Sequence, residues 1–395
     1  MKICLISFYY PPDLCAGSFR AEALVDALLE FDKEITEIEI LTTTPNRYSS
    51  HEINEDKYKN KCKKIIVKRI KVPLHNSGIL GQSIAFLFFA FGVFLYSKNK
   101  KWNIVVSTSS RLMSAFLGAC ISKNKKIPLY LDIRDLFVDT MMDILSKSIL
   151  RHTLIFFIII EKWTFNSASK INLVSRGFKD YLCLIVKDKK ISFFTNGIDK
   201  IFIRNLQNNS RKDFTKNINI LYAGNIGSGQ ALDLIIPKSA NIVKANVNFT
   251  IIGDGSRRKE LEENLKEQDI KNVKIIDPID RKKLFYYYNK ADVLLVHLND
   301  LSAFKKVLPS KLFEYASLQK PILAGVKGYA ATFIKKEILG CELFEPCNES
   351  SFIIAFNRII KGKATINRNV FIKKYKRTKV MNLMAKDIIK IGKDG

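Results

Sequence analysis

Short apolar runs alternate with longer segments of helical spacing through the first half of the chain. The runs predict buried strands, and the segments between most of them predict helices. The predicted strands are Lys2–Ser7, Ile35–Thr42, Ile65–Val72, Ile104–Thr108, Leu129–Ile133, Lys170–Val174 and Ile191–Phe194. Strands and helices that alternate over this length favour a mostly parallel sheet. The pattern therefore predicts a doubly wound α/β domain over residues 1–200.

The same pattern begins again after a polar segment, residues 201–217, which is rich in Asn and Lys and is interpreted as a linker. The predicted strands that follow are Ile218–Tyr222, Asn248–Ile252, Val273–Ile276, Asp292–His297 and Ile322–Gly325. They predict a second Rossmann-like domain over residues 218–366. The basic segment 367–395 predicts one further helix.

One uncharged segment, Ile79–Tyr96, is eighteen residues long, which is the lower limit for a membrane-spanning helix. It lies between two strands of one predicted sheet, so a true span would split the domain. We therefore expect a helix that is half buried in the domain and half inserted in the membrane interface. Lys98, Lys100 and Lys101 would then lie on anionic headgroups. A second apolar run, Leu154–Ile160, has the same ambiguity but is too short to span.

Composition and charge narrow the possible partners. The chain has 395 residues, enough for two cores, and 47% hydrophobic with 26% charged residues is typical of a globular protein. The formal net charge is +27, with lysines and arginines scattered throughout. Such a surface can attract nucleic acid, anionic lipid or phosphorylated small molecules. Because no nucleic-acid-binding motif accompanies the charge, we expect an anionic substrate and an anionic membrane surface, and no nucleic acid.

The cysteines and possible metal ligands point to a reducing compartment and no metal. The seven cysteines form no C-x-x-C pair and several lie in apolar runs, so they are interpreted as buried free thiols in the cytoplasm. The first predicted strand follows Met1 directly, and no signal peptide is expected. No His, Cys or carboxylate group has ligand spacing, so neither a metal nor another cofactor is predicted.

The segment Leu308–Pro321 (LPSKLFEYASLQKP) carries the most specific candidate chemistry. It predicts a short helix with Ser310 as N-cap, whose free N–H groups and Lys311 form an anion site. Glu314, one turn later, offers an acceptor-only carboxylate suited to a pair of sugar hydroxyls. A phosphate site beside a hydroxyl site is typical of a nucleotide or nucleotide-sugar pocket. The alternative is an ordinary capped helix with an exposed surface glutamate.

Two stretches of the first half lie where open α/β sheets bind ligands, after carboxyl strand ends. Gly17 opens a helix after the first strand and offers a second backbone anion site, with Arg20 in the first turn. Arg134 and Asp135 follow the strand Leu129–Ile133. Arg134 stands between two aspartates, so an ion-paired strand terminus and a role at the ligand site are both open.

In the second half, Gly224, Asn225 and Gly227 belong to a glycine-rich strand-to-helix turn that is not G-x-G-x-x-G and is weak as a motif. Gly253 lies in the next such turn. His297 ends a strand, and a structural histidine is the more common outcome there.

The run P-S-K-L-F-E-Y-A-S-L-Q-K-P-I-L resembles the donor-site helix of family 4 retaining glycosyltransferases, which have the GT-B fold. It is most similar to the bacterial surface-polysaccharide branch that includes N-acetyl-L-fucosamine transferases. The G-N-I-G turn followed by Gln and Leu, and the R-D-L triplet, match the same branch. The resemblance implies two Rossmann-like doubly wound domains that face a cleft. It also implies a C-terminal helix that crosses back to the first, acceptor-binding domain.

The resemblance also implies residue roles in the second domain. Glu314 would bind the donor ribose, whereas Lys306 stands where most relatives have another glutamate near the donor sugar. Asn225 and Gln230 stand where many relatives hold the pyrophosphate with Arg and Lys, which leaves more of that charge to Lys311 and helix dipoles. Further donor-binding residues would be Ser310, Gly224, Gly227 and Gly253.

In the first domain the resemblance makes the loop with Pro11, Gly17 and Arg20 a wall of the donor site. It makes Arg134 and Asp135 the catalytic candidates. The implied activity is metal-independent transfer of a sugar, of N-acetylated hexosamine type, from a UDP-sugar to a lipid-linked saccharide. The process would be O-antigen or capsule synthesis, by an enzyme peripheral on the cytoplasmic face of the cell membrane.

Two alternatives remain. A UDP-sugar 2-epimerase of the same fold would need catalytic acids and a histidine in the cleft, which four scattered histidines do not supply. A non-catalytic GT-B partner subunit is suggested by Lys306.

Overall fold

The computed structural model describes residues 1–13, 15–31, 33–45, 63–73, 79–109, 112–146, 149–186, 191–204, 217–362 and 366–394. The chain divides into two compact units. The first consists of Met1–Asn196 together with Arg377–Gly395, and the second of Gly197–Lys376. Most of the predicted linker, residues 205–216, lies outside the described residues.

The first unit is built on a parallel sheet with the strand order β3-β2-β1-β4-β5-β6-β7. Its strands are β1 (Lys2–Ile6), β2 (Glu37–Thr43), β3 (Ile65–Ile70), β4 (Ile104–Thr108), β5 (Leu129–Ile133), β6 (Lys170–Leu173) and β7 (Ile191–Ser192). Each lies at or near a predicted apolar run. The order of the chain reverses between β1 and β4, the position at which such sheets bind ligands.

Six helices of the first unit come from its N-terminal part: α1 (Ala16–Leu29), α2 (Ile79–Ser97), α3 (Leu112–Lys125), α4 (Phe137–Ile144), α5 (Leu154–Ser167) and α6 (Lys179–Ile185). Two short 3₁₀ helices, Ile149–Thr153 and Arg176–Phe178, precede α5 and α6. The helices α2 and α5 both contact α3.

The second unit has a parallel sheet with the order β10-β9-β8-β11-β12-β13. The strands are β8 (Ile218–Ala223), β9 (Val247–Ile252), β10 (Val273–Ile276), β11 (Val293–His297), β12 (Ile322–Gly325) and β13 (Cys341–Phe344). The sequence interpretation missed β13, because its four residues include the charged Glu342 and show no apolar run. Pairing with β12 makes it a strand.

The helices of the second unit are α7 (Lys200–Arg204), α8 (Leu232–Ile242), α9 (Arg258–Glu267), α10 (Arg281–Lys290), α11 (Lys311–Ser317), α12 (Gly328–Glu337), α13 (Glu349–Lys361) and α14 (Asn369–Lys374). A 3₁₀ helix, Ser302–Lys306, precedes α11. Residues 201–204, expected in the linker, are therefore helical. Phe202 of α7 is buried in the core of this unit, which explains why the segment is ordered.

The C-terminal segment forms two helices where the sequence predicted one. Residues Tyr375 and Lys376, which follow α14, are not helical. At this point Ile198 donates its N–H to the Tyr375 carbonyl at 2.8 Å and forms an isolated β-bridge with Lys376. The last helix, α15 (Arg377–Asp394), packs on α1, with Met381 and Met384 in the core of the first unit. The predicted return of the C-terminal helix to the first unit is confirmed, but the return begins at Arg377.

Apolar side chains cover the outer face of α2. Leu87 is 65% exposed and Phe91 is 66% exposed, whereas Phe89 and Val93 on the opposite face are fully buried. Across the described part of the chain, no helix is both long and apolar enough to cross a membrane. The expectation of a half-buried helix at this position therefore agrees with its packing.

Six of the seven cysteines lie among the described residues, and all six are free thiols. Cys4 is buried, four are partly buried, and Cys183 on α6 is exposed. The expectation of buried thiols is therefore wrong for Cys183, whose neighbour Leu182 takes the buried position on this short helix.

Candidate functional site

Two turns at the carboxyl edge of the second sheet are bound to each other. Gly224, which follows β8, donates its N–H to the Ile252 carbonyl at 2.9 Å, and Ile226 donates to the Asp254 carbonyl at 2.9 Å. A side chain at Gly253 would collide with the carbonyl oxygen of Gly224. The structure thus brings together Gly224 and Gly253, and only a glycine at 253 allows this close approach of the two backbones.

The turn after β8 is stiffened by its own side chains. The Asn225 amide donates to Oε1 of Gln230 at 2.8 Å, and the Tyr222 hydroxyl donates to the Asn225 carbonyl at 2.6 Å. A side chain at Gly227 would collide with the Asn225 amide. Asn225 and Gln230 therefore bond to each other across the turn.

His297, at the end of β11, makes a hydrogen bond to the same turn. Its Nδ1 lies 2.6 Å from the Gln230 carbonyl and its Nε2 lies 3.0 Å from the backbone N–H of Cys347. The carbonyl requires a proton on Nδ1, and the N–H requires a free lone pair on Nε2, so the ring is neutral. Burial lowers the pKa of His297 to about 4. The histidine is therefore structural, as the sequence favoured.

This arrangement predicts a pH dependence of stability. His297 has a pKa of about 4 in the folded protein and 6.5 as its ordinary value, so between these values the unfolded chain binds a proton that the folded chain does not. Stability contributed by the neutral ring is complete above pH 6.5 and falls as the pH falls toward 4. Between pH 7 and pH 5 the wild-type should lose about 2 kcal/mol more than His297→Gln in urea denaturation. Parallel losses in the two proteins would contradict this.

The start of α11 differs from the expected cap. Ser310 has helical backbone angles, φ −62° and ψ −29°, and its side chain makes no capping hydrogen bond. A capping serine has extended backbone angles, from which its hydroxyl can accept from the N–H groups two or three residues later. Ser310 stands at the predicted N-cap position, but its side chain does not cap the helix, and α11 is only seven residues long.

Lys311, Glu314 and Tyr288 form a compact polar cluster at α11. The Lys311 ammonium lies 3.0 and 3.1 Å from the two carboxylate oxygens of Glu314, and the Tyr288 hydroxyl donates to Oε1. The Glu314 side chain is only 14% exposed, which contradicts the alternative of a surface glutamate. Burial alone would raise the pKa of Glu314, but the charges of Lys311 and Arg281 and the Tyr288 hydrogen bond together lower it. Glu314 is therefore an ionised hydrogen-bond acceptor whose carboxylate is held in place by Lys311 and Tyr288.

A second tyrosine joins this cluster to the sheet. The hydroxyl of Tyr315, next to Glu314, accepts the backbone N–H of Ala223 at 2.9 Å. Ala223 is the last residue of β8 and immediately precedes Gly224. The helix start with Ser310, Lys311 and Glu314 is thereby attached to the strand that carries the glycine-rich turn.

In the first unit, Arg20 has a structural role. It is 2% exposed and makes a bidentate ion pair with Asp132, Nε–Oδ2 2.7 Å and Nη2–Oδ1 2.9 Å. It also donates to the carbonyls of Thr195 and Phe194, both at 2.8 Å, and Asn172 donates to Asp132 at 2.7 Å. The guanidinium is saturated inside the core. Arg20 as a donor-binding residue is therefore a correction: the ion pair fills the contacts that a phosphate would need.

Arg134 and Gly17 are brought together in the first unit. A side chain at Gly17 would collide with the Arg134 guanidinium, so this group lies directly against the α1 backbone. Its Nε is buried without a hydrogen-bond partner among the residues that the structure describes. Asp132 makes its bidentate ion pair with Arg20, whereas the Arg134 charge acts on Asp132 and Asp135 without such a contact among the described residues. Asp135 follows at an exposed position.

Three residues of these clusters were missed by sequence reasoning. Asp132 was noted only as a neighbour of Arg134, and Tyr288 and Tyr315 were not noted as polar groups at all. Tyr288 belongs to the run F-Y-Y-Y, in which Tyr286 is 55% exposed and Tyr288 is fully buried. Only the four-residue spacing from the buried Leu284 could have suggested that Tyr288 faces inward.

Possible metal ligands do not converge in the part of the chain that the structure describes. No group of three or more His, Cys, Asp or Glu side chains there is placed to hold a metal ion.

Comparisons with known proteins agree with this architecture. Residues 203–378 match the family model described as glycosyl transferases group 1. Among curated protein sequences, none is similar enough to the chain to count as a match.

Solved structures resemble the chain over its whole length. Sucrose-phosphate synthase from Thermosynechococcus elongatus has 14% identity and a TM-score of 0.69, over 100% of this chain and 97% of the other. Anabaena HepE in complex with UDP-glucose has 13% identity and a TM-score of 0.69, over 99% of each chain. The lipopolysaccharide outer core galactosyltransferase WaaB has 15% identity and a TM-score of 0.62, over 100% of each.

These similarities establish the fold, and the family match covers nearly all of the second unit. Residues 203–378 therefore match the glycosyl transferases group 1 family model, in a chain with the GT-B fold.

Proposed function

We propose that the protein is a metal-independent retaining glycosyltransferase with a UDP-sugar donor. The observation that carries the proposal is the cluster of Lys311, Glu314 and Tyr288, which lies next to the glycine-rich turn in the matched domain. It offers a cation for a diphosphate and an ionised acceptor for ribose hydroxyls. A structural neighbour was solved with UDP-glucose, which supports the same donor class.

Lys311 would stabilise the leaving group. The diphosphate gains negative charge as the sugar departs, and fixed cations and N–H dipoles stabilise that charge. Lys311 now contacts both oxygens of Glu314, and its side chain is 30% exposed. The ammonium can therefore exchange one of these contacts for a phosphate oxygen while it keeps the other.

The acceptor would bind to the first unit. Asp135, exposed after β5, would steer the incoming hydroxyl or accept its proton. The Arg134 side chain follows the same strand, and its charge opposes the desolvation that raises the pKa of Asp135. A lipid-linked saccharide acceptor, a sugar of N-acetylated hexosamine type and a role in O-antigen or capsule synthesis follow from the resemblance of the P-S-K, G-N-I-G and R-D-L segments. A neighbour titled as a lipopolysaccharide galactosyltransferase supports this acceptor class.

We further propose that the first unit docks on the cytoplasmic face of an anionic membrane. The outer face of α2 carries six exposed apolar side chains: Ile84, Leu87, Phe88, Phe91, Phe94 and Leu95. Helix α5 adds Ile155, Phe156 and Ile159. Lys98 and Lys101 are exposed after α2 and suit anionic headgroups, whereas Lys100 is held by Glu39 at 3.1 Å. Lys100 is therefore removed from the expected headgroup contacts.

The activity can be tested directly. UDP should raise the melting temperature of the protein, and a UDP-sugar screen with a lipid-linked acceptor should yield an extended lipid by mass spectrometry. A partner subunit without catalysis would bind UDP and transfer nothing. An epimerase would convert the donor without any acceptor. His297 gives no support to the epimerase, because both ring nitrogens are occupied.

The phosphate role of Lys311 predicts activity without metal. Transfer should persist in excess EDTA and fall at least about tenfold in Lys311→Ala, because one charge-assisted contact to the leaving group is lost. Lys305→Ala, an exposed lysine in the preceding 3₁₀ helix, is the matched control and should retain full activity. Activity abolished by EDTA and restored by magnesium or manganese would refute this assignment.

Membrane docking predicts lipid-dependent binding. The protein should sediment with phosphatidylglycerol vesicles, less so at high salt, and be released by alkaline carbonate. The double variant Leu87→Ser/Phe91→Ser should reduce binding about tenfold or more, since two large apolar groups leave the interface. Val370→Ser, which replaces an 84%-exposed apolar residue of the second unit, is the control. Equal binding by the variants would refute docking through α2.

A further inference from the structure

In the cluster of Lys311, Glu314 and Tyr288, the tyrosine comes from a different helix than the other two residues. It lies on α10, donates its hydroxyl hydrogen to Oε1 of Glu314, and accepts from the Lys311 ammonium at 3.3 Å. The hydroxyl therefore links the cation and the carboxylate. Because a tyrosine hydroxyl that donates to a carboxylate requires an acceptor, the contact favours the ionised form of Glu314.

The ring of Tyr288 cannot follow Glu314 if the carboxylate moves. It is fully buried, and its neighbours are Phe202, Phe285 and Tyr315, with ring centroids 6.1, 6.2 and 5.9 Å away in edge-to-face arrangements. Aromatic packing on several sides holds the hydroxyl at one point. Glu314, which has three side-chain torsions, is thereby confined to one arrangement by an immobile donor.

We infer that Tyr288 is a positioning residue that makes the site selective for ribonucleoside diphosphates over their deoxy analogues. The inference rests on the proposed function, in which Glu314 accepts hydrogen bonds from the donor ribose. A mobile carboxylate turns toward water when a ribose hydroxyl is missing, and then the analogue loses little affinity. A pinned, largely desolvated carboxylate cannot turn, so a missing hydroxyl leaves it unsatisfied.

Calorimetric binding of UDP, 2′-deoxy-UDP and 3′-deoxy-UDP tests this on the full chain. The wild-type should bind UDP at least about tenfold more tightly than the analogue that lacks the bonded hydroxyl. In Tyr288→Phe the UDP affinity should fall about tenfold while that of the analogue stays nearly constant, so the ratio approaches one. In Glu314→Gln the ratio of the affinities for UDP and for the deoxy analogue should likewise approach one.

A purely structural role would give a different result. If Tyr288 only supports the fold, UDP and the analogue should weaken together and the ratio should persist in Tyr288→Phe, which overturns the inference. Tyr288→Met also lacks the hydroxyl and provides a second reading of the ratio if the phenylalanine variant does not fold. If either variant folds and keeps the wild-type ratio of UDP affinity to analogue affinity, Tyr288 does not position Glu314.

Tyr130→Phe is the matched control. Tyr130 is a fully buried tyrosine of the first unit that donates to Oδ2 of Asp387 at 3.0 Å, so the substitution removes the same kind of bond in the unit that does not contain Glu314. The ratio of the affinities for UDP and for the deoxy analogue should be unchanged in this control. Wild-type protein that binds no UDP would overturn the proposed function itself, whereas UDP binding with a ratio that survives Tyr288→Phe overturns only the role of Tyr288.

Discussion

Arg20→Met is expected to destabilise the first unit by about 3–5 kcal/mol, the range for breaking a buried ion pair from one side. The substitution keeps most of the side-chain volume but removes the bidentate contact to Asp132, which is 3% exposed. It also leaves the carbonyls of Phe194 and Thr195 without these donors. Burial would raise the pKa of Asp132, and Arg20 is the main reason that this pKa is lowered instead. Without Arg20 the aspartate is an uncompensated buried charge.

The measurement can be confined to the first unit. Both tryptophans of the chain, Trp102 and Trp163, lie in it, so tryptophan fluorescence during urea denaturation reports on this unit. The control Lys393→Met removes an ion pair to Glu34 whose lysine side chain is 56% exposed, and should change stability by less than about 0.5 kcal/mol. A loss below about 1 kcal/mol in Arg20→Met would show that the buried pair contributes little.

Arg20→Met/Asp132→Leu separates the pair from its surroundings. Replacing both charges by apolar side chains removes the stranded carboxylate, so the double variant should be less destabilised than Arg20→Met. Equal destabilisation would mean that the carbonyl contacts, and not the ion pair, dominate.

Gly253→Ala is expected to destabilise the second unit by more than about 3 kcal/mol, the upper part of the range for overpacking a core. The new methyl group would meet the Gly224 carbonyl, and this is a backbone atom that cannot rotate away. The turns after β8 and β9 would have to separate and give up the hydrogen bonds from Gly224 and Ile226. The affinity for UDP should also fall, because the glycine-rich turn would be displaced, even though Gly253 has no side chain to contact a ligand.

Thermal unfolding followed by circular dichroism measures this effect, with Gly362→Ala as the control. Gly362 ends α13 with φ −66°, an angle that alanine adopts, and the nearest atoms to a new methyl group are 3.2 and 3.3 Å away. The control should stay within about 0.5 kcal/mol of the wild-type. If Gly253→Ala melts like the control, the close approach of the two turns is not required for folding.

The strands were predictable where a strand is buried on both faces. Ile104–Thr108 and Leu129–Ile133 have the bounds that the apolar pattern predicted, because a central parallel strand has to be apolar almost throughout. The exception, β13, is only half buried and pairs on one side with β12, so its residues need no such pattern. Pairing at a sheet edge is decided by the neighbour and not by the four residues themselves.

The side-chain chemistry was only partly predictable. Lys311 and Glu314 are three residues apart on one predicted helix, so their proximity follows from helical geometry. The burial of Glu314 does not, because Tyr288 reaches it from α10, 26 residues earlier. Arg20 shows the same limit. Its position in the first turn of α1 suggested an anion site, whereas Asp132, 112 residues later, takes the guanidinium. Local spacing cannot reveal which distant group is nearest.

The placement of α15 determines the order in which the two units can be completed during synthesis. This helix covers α1, and Met381, Met384 and Ile388 fill the core there with Leu24 and Leu28. The ribosome makes residues 197–376 before it makes α15, so the second unit is entirely available while the first still lacks its last helix. We expect the second unit to fold first and the first unit to fold last, opposite to their order in the chain. Until then the apolar face of α1 stays uncovered, and a ribosome that stalls between Gly197 and Lys376 would hold a chain with this face available to chaperones.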